Sequence, residues 1–532
     1  MLTAAHDVSK GHLLYRDVYV PVTPGVYLIQ GFAFKLFGSS FLVSRVLMSV
    51  VYALCVVLTF AIATGCLPLR QATLAGVLAI PLQVWMWPHA QFFSYNPLAI
   101  LFCVLAIRLA WSIETSPRRR REAFWFGVAL AAALWTKPNL AVATGAGVFL
   151  YWLSGTLRTA LHFPTMRTWQ PTDLLRDGLS TLGGAAALSL PLIGYLTVTG
   201  ILDDMTRSLY ALSRIYGDVP PDLFPGLFPL TAQIDAVRLN PGLVLPGMFW
   251  SAFIGNPSFH YLLDHTGWID LLVRFVYYTP VALFAAAASY LGLRLRRRSW
   301  EVGDEAALLV LCAGFVLFLT IAPHPAIHYM TPTLLPLLVL TVFLGYRAAA
   351  GSTWVARGLG RWLGAGAVSV YLAASLSGLI LYLSIPRAPV HTARGTVWVD
   401  RLTARLWNEI FDHLDTEMSD HDRIFAVPYF SILYFLMGLE HPTRFVDLRP
   451  GSPGWEAEDE IVSTLEREEI EFVLYAVGSQ YPAIESFESA YPRLHRYILT
   501  RFELEREFLG PFGPYAEVRR RKPVPASAGA DE

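Results

Sequence analysis

Residues 41–65 read FLVSRVLMSVVYALCVVLTFAIATG, twenty-five positions with one charge, Arg45. A helix across a bilayer needs about 20 mostly apolar residues. This stretch alone meets that length, and similar runs recur along the chain. They cover Thr73–Trp87, Pro97–Ile113, Ala123–Thr136, Leu140–Leu153 and Leu179–Val198. A polar stretch rich in Pro and Asp then runs from Gly200 to about Asp270. Leu271–Leu291, Ala306–Ile321, Tyr329–Leu344 and Leu363–Leu383 complete about ten predicted spans.

The composition agrees. Of 532 residues, 54% are hydrophobic and 15% charged, with a mean hydropathy of +0.45. A soluble domain carries roughly 25% charged residues. The formal net charge is +0, so total charge identifies no partner. The four cysteines, Cys55, Cys66, Cys103 and Cys312, lie in or beside apolar runs without CxxC spacing. They read as small buried or lipid-facing hydrophobes, not as a disulfide framework or a zinc site.

Arginines orient the spans. Clusters at Arg118–Arg121, at Arg158, Arg167 and Arg176, at Arg294 and Arg296–Arg298, and at Arg347, Arg357 and Arg361 occupy every second loop. The alternate loops, Pro88–Asn96, Lys137–Asn139, Gly200–Asp270 and Pro323–His328, hold few clustered basic residues. Cytoplasmic loops are the basic ones. The pattern therefore predicts that the loop at Lys137 and the C-terminal part lie outside the cytoplasm. The arginine clusters lie against the membrane, so no nucleic-acid partner is expected. Ten spans with an external C-terminus also need an external N-terminus. Pro21–Phe37 carries Pro21, Pro24, Gln30 and Lys35 and reads better as an interfacial helix than as an eleventh span. A natural first transmembrane helix ahead of Met1 is the expectation.

Beyond Pro386 the pattern changes. Asp422–Pro428 and Glu471–Ala476 read as strands, Tyr429–Met437, Asp459–Glu468 and Ser486–Thr500 as helices, and Tyr515–Arg520 as a closing strand. This alternation predicts a small α/β domain over 386–522, with a disordered tail at 523–532. The chain thus divides into an external loop and interfacial helices at 1–40, a transmembrane domain at 41–385 with a long external loop at 200–270, and the C-terminal domain.

Several short stretches, in order, resemble the bacterial membrane glycosyltransferases of the GT-C fold. They are Gly11-His12-Leu13-Leu14-Tyr15-Arg16-Asp17, Pro24, Phe34-Lys35-Leu36-Phe37-Gly38, Ser44-Arg45, Thr136-Lys137-Pro138, His328-Tyr329-Met330-Thr331-Pro332 and Leu335-Pro336. In the C-terminal part they are Ser431–Leu436 and Pro442-Thr443-Arg444-Phe445. By pattern the chain is most similar to the dolichyl-phosphate-mannose protein mannosyltransferase superfamily, with the lipid A aminoarabinose transferases and galacturonosyltransferase-like enzymes. The resemblance implies a polytopic α-helical membrane protein of the bacterial cytoplasmic membrane. It also implies a hexosyl- or pentosyltransferase that takes a sugar from a polyprenyl-phosphate donor at the outer face. The acceptor would be a lipid-linked, glycan or protein component of the cell envelope. No cofactor is firmly implied, with a divalent metal the open option. The family's catalytic Asp usually lies just upstream of the region matched by Leu2–Gly11, ahead of this sequence. That leaves the competence of this exact chain open.

The resemblance implies roles for several residues, each beside a plainer reading. Asp17, the carboxylate in the matched loop, either positions the acceptor and supports the active-site loop or closes a salt-bridged surface turn with Arg16. Asp7, on what reads as an exposed helix, is a weaker candidate of the same kind. Lys137, before Pro138, either contacts the donor phosphate or snorkels to the interface. Arg45 is a phosphate or loop partner, or a headgroup anchor. His324, His328 and Tyr329 are phosphate or sugar contacts or an interfacial belt. His324-x3-His328 spacing hints at a metal pair, but Pro325 breaks the helix that would align it, and no metal site is assigned. Gln91, Tyr95 and Asn96 are sugar contacts or, the preferred reading, an interface turn before Pro97. Asp203, Asp204, Asp218 and Asp222 belong to an acceptor site or, the preferred reading, to a solvated surface. The competing functions are a transporter or flippase for a lipid-linked sugar and a non-catalytic lipid-binding relative. No internal repeat supports the transporter, and the polar residues gather at helix ends.

Overall fold

The computed structural model describes residues 1–84, 93–160, 171–217, 226, 228, 230, 233–234, 267–321, 327–350, 354–419, 423–428, 430–448, 453–454, 457–477, 487–510 and 513–523. Two short helices come first, α1 (Leu2–Lys10) and α2 (Gly25–Phe37). The bundle helices are α3 (Phe41–Cys66), α4 (Leu69–Val84), α5 (Tyr95–Thr115), α6 (Arg119–Leu134), α7 (Pro138–Ala160) and α8 (Pro171–Val198). The amphipathic α9 (Leu202–Gly217) is followed by α10 (Trp268–Arg296), α11 (Val302–Leu319), α12 (Thr331–Ala349) and α13 (Trp354–Ser384). Each of the ten apolar runs coincides with a helix. Among the described residues, seven helices are long and apolar enough to cross a membrane. The chain is a multi-pass membrane protein.

Their outer faces are greasy, as lipid requires. Leu42, Val46, Val50, Leu54 and Val57 are exposed along one side of α3, while Met48, Val51, Cys55, Thr59 and Ile62 face the bundle. Where helices touch, small residues let the backbones close in. A Cβ on Gly127 of α6 would strike the Thr181 carbonyl of α8, and one on Gly184 would strike the Phe124 carbonyl. At 13 residues, α2 spans only about 20 Å and cannot cross a bilayer. Its Ile29, Phe32, Leu36 and Phe37 are exposed.

The C-terminal part has two sheets. The hairpin β1 (Arg387–Thr392) and β2 (Gly395–Asp400) is antiparallel and leads into α14 (Arg401–Glu417). Asp400 caps α14 by accepting from Thr403 N at 2.9 Å. Next come β3 (Ile424–Val427), α15 (Ile432–Met437), α16 (Ala457–Arg467), β4 (Phe472–Ala476), α17 (Phe487–Ala490), α18 (Pro492–Arg501), β5 (Phe502–Gly510) and β6 (Gly513–Arg521). The sheet order is β3-β4-β6-β5, with β3 and β4 parallel and the other pairs antiparallel. The β1–β2 hairpin, α14 and β5 add to the elements expected from the sequence. The expected helix over Ser486–Thr500 is two helices, divided before Pro492.

The N-terminal segment is built into this domain. Leu2, Ala5 and Phe34 share a core with Ile410, Phe435 and Leu474. Thr3 Oγ1 donates to Ser431 O at 2.7 Å, and Tyr19 N donates to Arg444 O at 2.8 Å. The same segment docks on the bundle, where Gly25 N donates to Trp135 O at 2.8 Å. Lys137 and the C-terminal domain therefore share one end of the molecule.

Candidate functional site

Trp135 and Thr136 turn the chain out of α6, and Pro138 opens α7. Lys137 stands between them, its amide donating to Ala133 O at 2.7 Å. Its ammonium is partly buried and donates to Asn96 Oδ1 at 2.7 Å. The ring of Tyr329 lies 4.5 Å from Nζ and that of Tyr95 5.5 Å. These partners are neutral: one amide oxygen and two aromatic faces. Burial pushes the Lys137 amine down to about 7, with no carboxylate among the described residues to hold it up.

Four helices begin around the turn 135–137 that carries this ammonium. Asn96 lies in the first turn of α5, and Lys137 directly precedes α7. Tyr329 belongs to the 3-10 turn Ile327–Met330 that feeds α12. Gly25 opens α2 against Trp135; a Cβ there would lie 2.6 Å from the Trp135 carbonyl, so only glycine fits. Helix N-termini carry partial positive charge, although the Gly25 amide is already given to Trp135 O and Pro97, Pro138 and Pro332 bring no amide to their first turns. With one lysine and no acidic contact among the described residues, the place suits an anion.

The structure thus brings together Lys137 and Tyr329, which the sequence singles out, with Tyr95 and Asn96, which read there as an interface turn. His324 and the side chain of His328 lie outside the described residues, as do Gln91, Asp218 and Asp222. Arg45 is half-buried in the first turn of α3 beside Ser44. The Ser44 hydroxyl accepts from Gln30 Nε2 at 2.9 Å and Phe93 N at 3.1 Å, which joins α2, α3 and the approach to α5. Asp17 is exposed and closes its own turn. Its carboxylate accepts from Leu13 N at 2.8 Å and lies 3.6 Å from Arg16. That turn holds Tyr15 at a φ of 69°, and the Tyr15 hydroxyl donates to Val22 O at 2.8 Å. Asp203 is exposed and paired with Arg207 at 2.8 Å.

Asp7 is buried, not on the exposed helix face that the sequence suggests. Its carboxylate meets His441 Nε2 at 3.1 Å, and His441 Nδ1 donates to Thr443 O at 2.5 Å. Both ring nitrogens are thus engaged, and neither is open to a substrate. The preceding residue, His6, is clasped too. Arg394 donates to His6 Nε2 at 3.0 Å, which leaves Nδ1 to donate to Ser39 Oγ at 2.7 Å. Burial and the Arg394 charge hold this imidazole neutral, down to about 4. These contacts fasten α1 to the C-terminal domain. Helical periodicity could have placed Asp7 on the same face as Thr3; nothing in the sequence points to its partner, 434 positions on.

No protein-family model matches the chain, and no curated protein matches it. Solved structures do. ArnT from Cupriavidus metallidurans bound to undecaprenyl phosphate is 12% identical, with 99% of this chain and 93% of that chain covered at a TM-score of 0.50. The same enzyme in the apo state is 12% identical, with 97% and 92% covered at 0.47. The archaeal oligosaccharyltransferase AglB from Archaeoglobus fulgidus, in complex with an inhibitory peptide and a dolichol-phosphate, is 11% identical, with 99% and 70% covered at 0.46. At this identity the likeness is one of fold. The fold is GT-C: a polytopic helical membrane domain followed by a small α/β domain.

Proposed function

We propose that the chain is a membrane glycosyltransferase that moves a sugar from a polyprenyl-phosphate donor to a cell-envelope acceptor, working at the outer face of the cytoplasmic membrane. The observation that carries this reading is the Lys137 ammonium, partly buried among neutral partners where four helices begin. A phosphate oxygen would complete that set of partners. The ArnT structure of similar fold has undecaprenyl phosphate bound, which supports a lipid phosphate as the ligand.

In this reading Lys137 and the positive ends of the surrounding helices meet the donor phosphate as it leaves the sugar, stabilising the charge that develops there. Asn96 Oδ1 and the two tyrosine rings aim the ammonium. Arg45, His324, His328 and Tyr329 are the further phosphate candidates. Asp17 supports the loop that carries the acceptor side, through its bond to Leu13 N. The exposed apolar face of α2 rests in the headgroup layer, which keeps the site level with a lipid-borne phosphate. Arg444 and Tyr19 tie the C-terminal domain to the same end, where it borders the acceptor's approach.

Membranes containing the chain are supplied with labelled polyprenyl-phosphate sugars. Transfer to an envelope acceptor, lost in Lys137→Ala, is the expected result. Absence of transfer with every donor tried, together with no saturable binding of polyprenyl phosphate, would reject the proposal.

A further inference from the structure

We propose that the C-terminal domain holds a divalent transition cation, Zn²⁺ by its donor set, between α14 and β5, with His413, Glu417 and Glu505 as ligands. His413 and Glu417 are four apart on α14 and so share one face of the helix. Glu505 comes from β5, at the register shift between Leu504 and Arg506. Leu504 pairs with Arg519 and Arg506 with Val518, so Glu505 is the unpaired residue of a bulge. A bulge re-aims a side chain. Here it brings the carboxylate to the helix.

The three ligand atoms lie within 4.8 Å of one another. His413 Nε2 and Glu505 Oε1 are 3.4 Å apart. Zinc bonds of about 2.0–2.2 Å set tetrahedral donors roughly 3.4 Å apart, so this pair already stands at ligand spacing. The side chains of His413 and Glu505 are only 10% and 19% exposed. Yet His413 Nε2 and Glu505 Oε2 are buried with no hydrogen-bond partner among the described residues. A buried polar atom without a partner is costly and calls for an unseen one. The imidazole is set against the Phe508 ring, with centroids 5.8 Å apart, which fixes its aim.

Glu417 is the movable ligand. It is 38% exposed and only 3.7 Å from Arg520, which has a second partner in Glu471 at 2.8 Å. Arg520 can therefore release Glu417 without losing its carboxylate. One imidazole and two carboxylates suit Zn²⁺, with water as fourth ligand, better than Mg²⁺ or Ca²⁺, which prefer all-oxygen shells. The bound ion would staple α14 to β5. This site lies in the C-terminal domain, apart from Lys137, and it stands or falls independently of the transfer reaction.

The test uses the full, untagged chain in detergent, stripped with a chelator and titrated with Zn²⁺ alone by calorimetry. One tight equivalent is expected, with Mg²⁺ and Ca²⁺ giving none. His413→Gln and Glu505→Gln each should weaken that equivalent by more than about 100-fold, since even losing a ligand's supporting partner costs about 10–100-fold. Should a variant fail to fold, Co²⁺ added to the wild-type chain gives a second readout. A tetrahedral visible spectrum, bleached by Zn²⁺, supports the site. Absence of a stoichiometric Zn²⁺ equivalent, equal binding by both variants, or an octahedral Co²⁺ spectrum would each overturn it and leave His413 and Glu505 a plain ion pair.

Discussion

The two ends of the helical bundle treat charge in opposite ways. At the arginine-rich end Arg158, Arg294, Arg347 and Arg119 each meet a carboxylate. Arg158 forms a two-pronged pair with Glu305, at 2.6 and 2.9 Å, and Trp300 Nε1 donates to the same carboxylate at 2.7 Å. Arg294 and Arg347 both reach Glu301 and Asp304, at distances of 2.7–3.1 Å. Arg119 pairs with Asp177. At the other end Lys137 meets one amide oxygen and two rings. A charge closed within the protein supports its structure. A charge left with neutral partners is held for something that arrives.

This contrast breaks most sharply at Arg158. Its guanidinium and the Glu305 carboxylate are 7% and 5% exposed. Arg158→Met leaves the Glu305 carboxylate buried without its counter-charge, which should cost about 3–5 kcal/mol. Thermal unfolding in detergent measures the loss. Adding Glu305→Leu to the same chain should recover most of it, because the carboxylate that lost its counter-charge is then gone. A single variant as stable as the wild type would show that this end is not a structural clamp.

The opposite outcome is expected at Lys137. Lys137→Met should lower transfer by about 10²-fold or more, on the scale of losing one group that stabilises developing charge. It should not lower the melting temperature, because it removes a buried ammonium whose amine burial pushes down to about 7. Rate and stability measured on the same preparation decide between the two roles. A variant that loses both alike would make Lys137 one more structural cation.

Gly25→Ala probes how the N-terminal segment seats on this site. The new methyl would lie 2.6 Å from the Trp135 carbonyl and 3.1 Å from Thr136 Oγ1. Overpacking of this kind costs about 1–3 kcal/mol. The expected readout is a raised KM for the donor with a modest fall in melting temperature. Unchanged kinetics would detach α2 from the site.

The range of each interaction decides how much of this is legible in the sequence. The ten apolar runs are local and long, and each coincides with a helix. Lys137 stands out because a lone cation before a proline at a helix end is itself a local pattern. The arginines speak only to topology, since nothing local pairs Arg158 with Glu305, 147 positions away. Asn96 reads as a turn residue for the same reason, its lysine being 41 positions on. In the C-terminal part α14 goes unread although Leu406, Trp407, Ile410, Phe411 and Leu414 recur there at helical spacing. His413 and Glu417 are hidden with it. Glu505 sits in a bulge, where strict alternation fails, so no period points to it.

The finest distinction between the two ends is their response to pH. Lys137 has its amine near 7 in the folded chain, against about 10.4 for an ordinary lysine. Between those values the unfolded chain holds the extra proton, so the stability of the ligand-free protein should rise with pH from about 7 upward. Donor binding should run the other way. The phosphate of a sugar phosphodiester keeps its single negative charge through this range, so only the lysine titrates. Affinity should be flat below about 7 and fall roughly tenfold per pH unit above it, until the amine of the complex, raised by the phosphate, titrates in turn. Binding of labelled donor across pH measures this slope, and Lys137→Met should flatten it. The other end faces no donor in this reading, so no such slope in donor binding is expected from it. A wild-type affinity that does not change above about 7 would mean that the ammonium at Lys137 does not face the phosphate.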